Sequence, residues 1–146
     1  MKLKKKVLTT LCGISSALLL TMFPQTGFTT SWSYTSSITL PTVYSRNFTE
    51  IAYLPIVGST PTTGSITQVS WVWSVAGWPA NTQGLSVYLC HGDTNSCLDV
   101  SRIQRMTTTA FNNRDPAQQF FYALRVASGG TVPVSGQTGK VIVNWE

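Results

Sequence analysis

The residues of this chain best equipped for chemistry stand together in Gly84 to Val100, GLSVYLCHGDTNSCLDV. Cys90 and Cys97 flank His91, so the segment could supply two thiolate ligands and an imidazole for a metal, or a disulfide. The C-x6-C spacing matches no common zinc pattern. On an extended strand His91 must also face away from Cys90. A disulfide is therefore expected, closing a short loop that contributes about 2–3 kcal/mol in the chain-entropy picture. The remaining catalytic inventory is thin. His91 is the only histidine, and the carboxylates are Glu50, Asp93, Asp99, Asp115 and Glu146. No Gly-x-Ser-x-Gly elbow occurs. Asp93 and Asp115 fall among turn formers, where an Asp commonly bonds its own backbone. His91 opens the His-Gly-Asp-Thr-Asn-Ser run and is expected as a solvated turn residue. No catalytic residue, cofactor or metal is assigned, and the chain is read as a non-enzyme.

The elements around this segment follow from period-2 alternation. Leu85, Val87 and Leu89 alternate with Ser86 and Tyr88, and Leu98 and Val100 with Asp99, which places strands near Gly84 to Cys90 and Cys97 to Ile103. This is a hairpin stapled near its turn. Further strands are expected near Ser31 to Leu40, Phe48 to Val57, Ile66 to Ala76, Met106 to Phe111, Gln119 to Ala127 and Lys140 to Trp145. Within them Val69, Trp71, Trp73 and Val75 share one face, as do Phe120, Tyr122, Leu124 and Val126. Gly, Pro, Ser and Asn clusters separate the strands, and no segment keeps a helical period. The chain is read as all-β, a single-domain antiparallel β-sandwich with one disulfide-stapled hairpin.

Compartment decides whether that staple can persist. Lys2, Lys4, Lys5 and Lys6 precede the apolar stretch Val7 to Phe23, the anatomy of a cleavable signal peptide. Ser and Thr interrupt the stretch, and its strongly apolar part is shorter than the ~20 residues of a membrane span. A signal peptide is expected over residues 1–31, with cleavage between 27 and 31. A single domain is expected over 32–146, without membrane insertion after cleavage. The full chain carries ten Lys plus Arg against five Asp plus Glu, net +5. Without the four signal lysines the balance is six against five, net +1. The scattered arginines form no track for phosphates, which excludes a nucleic-acid reading. Removing Cys12 with the signal leaves Cys90 and Cys97 as the only pair.

Function is therefore sought among the sixteen Phe, Trp and Tyr residues. Trp71 and Trp73 share parity with Val69 and Val75 and are expected in the core. Trp78 sits in the Gly77-Trp-Pro79 loop, and Tyr88 points away from Leu85, Val87 and Leu89. These two are the candidate contact surface, for protein or for stacked sugar.

The residues resemble the FlhE family of enterobacterial flagellar accessory proteins. The resemblance begins with the early tryptophan and Ser37-Ile-Thr-Leu40, and continues through the Ser45-Arg46 turn and the aromatic strand around Trp71. It then takes in Gly84-Leu-Ser-Val-Tyr-Leu-Cys90 with its partner Cys97, and closes on Val141-Ile-Val-Asn-Trp145. The turn between the cysteines, the N-terminal region and Asn112–Pro116 depart from the family form in being longer. The resemblance implies a periplasmic β-sandwich without known catalysis that supports flagellar type III export. The role implied is limiting proton leakage or acting as a chaperone, with protein partners in the basal body or export gate. The alternative reading is a secreted carbohydrate-binding or adhesive β-sandwich module.

Overall fold

The computed structural model describes residues 27, 30–58 and 63–146. The signal segment expected over 1–31, with its lysines and Cys12, lies almost wholly outside the described residues. Eight strands follow in chain order: β1 (Trp32–Thr39), β2 (Thr49–Tyr53), β3 (Ile66–Val75), β4 (Leu85–His91), β5 (Cys97–Asp99), β6 (Arg105–Thr108), β7 (Phe120–Val126) and β8 (Gly136–Trp145). They form two four-stranded sheets, ordered β1-β8-β3-β6 and β2-β7-β4-β5, and every strand pairing is antiparallel. The all-β sandwich with a stapled hairpin is the observed architecture.

Alternation builds the core between the sheets. Val69, Trp71, Trp73 and Val75 of β3 and Val141, Val143 and Trp145 of β8 point inward and are buried. Val87 and Leu89 of β4 face them with Phe120, Tyr122, Leu124 and Val126 of β7. Burying each such aliphatic side chain contributes about 1.5–3 kcal/mol. Tyr122 crosses the seam: its hydroxyl donates to the Lys140 carbonyl at 2.8 Å and lies 3.1 Å from that of Val72. Burial pushes its phenol well above the ordinary tyrosine range. Gly139 makes room for the ring, since a Cβ there would stand 3.0 Å from Tyr122 Cδ2 and 2.6 Å from Leu40 Cδ2. Tyr34, buried beside Trp145, has its pKa raised to about 12 by desolvation.

Among the boundaries that differ from the alternation pattern, β2 ends at Tyr53 short of Val57 and β6 at Thr108 short of Phe111, and two others have identifiable reasons. The strand expected from Cys97 to Ile103 stops at Asp99. Asp99 Oδ1 there accepts the Ser101 backbone N–H at 2.9 Å and the Ser101 hydroxyl, turning the chain inward. These two bonds hold the Asp99 carboxyl below its usual range. The indole of Trp73 donates to the carbonyls of Val100 and Ile103, and that of Trp71 to Ile103, fixing the crossover to the other sheet. At the other end of the chain, β8 begins at Gly136 and not at Lys140. A Cβ on Gly136 would collide with the backbone carbonyls of Leu40 and Pro41.

Candidate functional site

Sequence reasoning placed Cys90, Cys97, Trp78 and Tyr88 at the centre of attention, and the structure assigns them to different surroundings. Cys90 and Cys97 pair across β4 and β5 with their Cα atoms 4.0 Å apart and are joined by a disulfide. Cys90 is buried and Cys97 exposed. Trp78 is half-buried and packs edge-on against Trp73 at 5.4 Å between ring centroids. Its loop folds it back onto the core, with Gly77 in a left-handed conformation (φ 78°) at the bend. Tyr88 is half-buried in a separate cluster with Cys90, Phe121 and Ala123, on the outer side of the second sheet. The two aromatic candidates thus do not form one surface.

His91 corrects the sequence reading. It is not a solvated turn residue; β4 runs through it, and it is 1 % exposed. Because Cys90 faces outward, the next side chain points inward, where Phe120 packs at 4.5 Å and Phe111 at 6.0 Å between ring centroids. Its Nε2–H donates to the Asp115 carbonyl at 3.0 Å. Desolvation lowers its pKa below the ordinary histidine value. An imidazole so enclosed is not placed to take a proton from a substrate in solution. The turn carboxylates are also engaged locally. Asp93 Oδ1 accepts from Asn95 N–H at 2.9 Å, and Asp115 Oδ1 from Ala117 N–H at 2.8 Å. Among the described residues no cluster of three His, Cys, Asp or Glu could hold a metal ion.

Sequence reasoning named Tyr88 but missed the rest of the apolar outer side of the second sheet on which it lies. The sheet's register sets three rows across the strands. Tyr53, Phe121, Cys90 and Cys97 form one, Ile51, Ala123, Tyr88 and Asp99 the next, and Thr49, Arg125 and Ser86 the third. Tyr53 covers Phe121 with ring centroids 5.2 Å apart, which leaves Phe121 buried although it faces away from the core. Thr49, Ile51, Tyr88, Cys90, Thr94, Cys97 and Ala123 line an open hollow of about 280 Å³ beside the disulfide.

The hollow adjoins β2, a sheet edge that no other strand covers among the described residues. Leu54 N–H bonds the Phe120 carbonyl at 2.9 Å, so the even-numbered residues of this stretch face β7. The alternating antiparallel pattern then turns the N–H and C=O groups of Thr49, Ile51 and Tyr53 away from the sheet. Among the described residues nine large hydrophobic side chains are exposed. Six of them, Tyr44, Phe48, Ile51, Tyr53, Ile56 and Val57, fall within 44–57. An open edge with such a concentration of apolar side chains is the setting in which another chain is bound. Arg46, in the turn before β2, is spent on structure: its Nε–H donates to the Gly130 carbonyl at 2.7 Å. The available sequence signal was the pairing of Ile51 with Tyr53 at strand spacing. It could not be read as exposed until β2 was known to lie at an edge.

Comparison with known proteins follows this geometry. The model of the family described as flagellar protein FlhE matches residues 45–146. A crystal structure of FlhE superposes with a TM-score of 0.65 at 23 % sequence identity, covering 80 % of this chain and 97 % of that one. At that identity the superposition speaks for the fold. Comparison with curated protein sequences finds no significant match. The family match includes β2 through β8, and therefore the whole second sheet with its disulfide and its free edge.

Proposed function

The chain belongs to the FlhE family of flagellar proteins, and on that premise we propose that it is a non-enzymatic periplasmic accessory of flagellar export. It acts by protein contact at the β2 edge and the adjoining outer face of the second sheet. The observation that carries this reading is the crowding of exposed apolar side chains into 44–57, along an edge whose outward backbone groups have no partner among the described residues. The disulfide supports an oxidising compartment, where such bonds persist. The family supports the flagellar setting. An open strand edge beside an apolar hollow suits transient cover for extended or incompletely assembled segments, because main-chain bonds and alternate side-chain contacts serve many sequences. A chaperone-type contact with periplasmic flagellar parts is accordingly the role proposed.

The test is complementation of a gene deletion with the double variant Ile51→Ser/Tyr53→Ser. Loss of support for flagellar assembly, with the cooperative melting transition retained, is the expected result. Full complementation would place the contact elsewhere. A deletion strain that assembles flagella normally, yet acidifies its cytoplasm under acid challenge, would favour control of proton leakage instead.

A further inference from the structure

One buried polar atom has no role in the contact surface: Nδ1 of His91 is enclosed and has no hydrogen-bond partner among the described residues. Because Nε2–H is committed to the Asp115 carbonyl, Nδ1 carries the bare lone pair of the neutral ring. A buried N–H donor without an acceptor costs its full desolvation, and a buried unpaired charge costs more than a neutral unpaired atom. A proton arriving at Nδ1 would create that donor and a positive charge at once.

The segment that His91 holds is the Phe111–Gln118 connection between β6 and β7. Asp115 receives the imidazole bond, while Phe111 and Phe120 close on the ring and pack on one another at 5.2 Å between centroids. The same connection anchors the start of β3, through Ile66 N–H to the Arg114 carbonyl and Asn113 N–H to that of Ile66, each at 2.9 Å. On the other side Gly92 N–H bonds the Gln119 carbonyl, tying the hairpin turn to the same end of the sandwich. We infer that His91 is a proton-operated latch: neutral, it pins this connection to β4; protonated, it lets the connection swing open locally while both sheets persist.

The charged groups around it divide. Arg114, whose guanidinium lies 5.8 Å from the Phe111 ring centroid, opposes protonation; Asp115 on the same connection and Asp93 in the hairpin turn favour it. Phe111 and Phe120 contribute no charge. Desolvation outweighs the two carboxylates, and the net direction is a lowered pKa. With the folded value below the unfolded one, the stabilisation is complete above about pH 6.5. It is lost as pH falls from there through the folded value, by up to about tenfold in the closed-to-open ratio per pH unit.

Hydrogen exchange at pH 7.5 and pH 5.0, corrected for intrinsic rates, tests the latch on the oxidised protein. Expected is a loss of protection of about tenfold or more in Phe111–Gln118, with β1, β3 from Val69 onward and β8 unchanged. His91→Gln, whose amide can still reach Asp115 but does not titrate, should abolish the acid-specific loss. Equal loss in that variant would assign the effect to Asp93 or Asp115 and overturn the proposal. Should the variant fail to fold, the imidazole titration of the wild-type protein followed by NMR decides. An ordinary pKa near 6.5 would overturn the latch, and a clearly lower one supports it.

Discussion

The two outward faces of this sandwich are built on the same strand geometry and differ in what they display. On the first sheet the outward rows are Ser33, Asn144 and Gln68; then Thr35, Ile142, Ser70 and Thr107; then Ser37, Lys140, Val72 and Arg105. Hydroxyls and amides dominate there, and Ser70 and Thr107 bond across the strands at 2.8 Å. Ile142 and Val72 are half-buried among polar neighbours. On the second sheet Tyr53, Phe121, Ile51, Ala123 and Tyr88 form a continuous apolar surface. Folding requires only that the inner faces be apolar. The first sheet shows that a solvated outer face is compatible with this fold. The apolar character of the second therefore answers a requirement other than folding, and contact with another chain is the one proposed.

The comparison can be broken first through the interior the two faces share. Trp73→Ala removes a fully buried indole and its bonds to the Val100 and Ile103 carbonyls. A loss of about 3–5 kcal/mol is expected in denaturant unfolding, with both faces collapsing together. A smaller effect, confined to one sheet, would deny that the sandwich unfolds as a unit. Next is the disulfide, which belongs to one face only. Cys90→Ala/Cys97→Ala should lower unfolding stability by about 2–3 kcal/mol. Reductant should do the same to the wild type and nothing further to the variant. The smallest stability effect is predicted where the functional effect is greatest. Ile51→Ser alters an exposed side chain and should stay within about 0.5 kcal/mol of wild type, while Tyr53→Ser also gives up its packing on Phe121 and should cost about 0.5–1.5 kcal/mol. A large destabilisation by Ile51→Ser would mean that the apolar face serves folding after all.

Much of this architecture was legible in the residue pattern. Each of the eight strands overlaps a segment where alternation placed one, and in β3, β4, β7 and β8 inward Val, Leu and aromatic residues recur at every second position between Gly and Pro breaks. Trp71 and Trp73 lie in the core as their parity required, and the cysteines are paired. The shortened β5 was not legible, since it depends on Asp99 capping Ser101 and on indoles from a strand distant in sequence. Nor was the burial of His91, which local turn formers disguised and which Phe111 and Phe120 create from a separate part of the chain. The proposed contact surface was hardest to see, and of its residues only Tyr88 was singled out. Trp78 was singled out for its loop position but turns onto Trp73, whereas Ile51 and Tyr53 looked like ordinary strand residues. Which face of a strand is covered, and which strand is an edge, are properties of topology, and alternation alone does not carry them.

Site-specific photo-crosslinking in motile cells tests the central claim most directly. A photoreactive residue placed in turn at Ile51, Tyr53, Thr35 and Ser70 samples the two outward faces of one folded protein. Protein adducts from positions 51 and 53, with positions 35 and 70 silent, are the predicted result. Adducts of equal yield from both faces, or from the first sheet alone, would contradict the assignment of the second sheet's outer face and β2 edge as the contact surface.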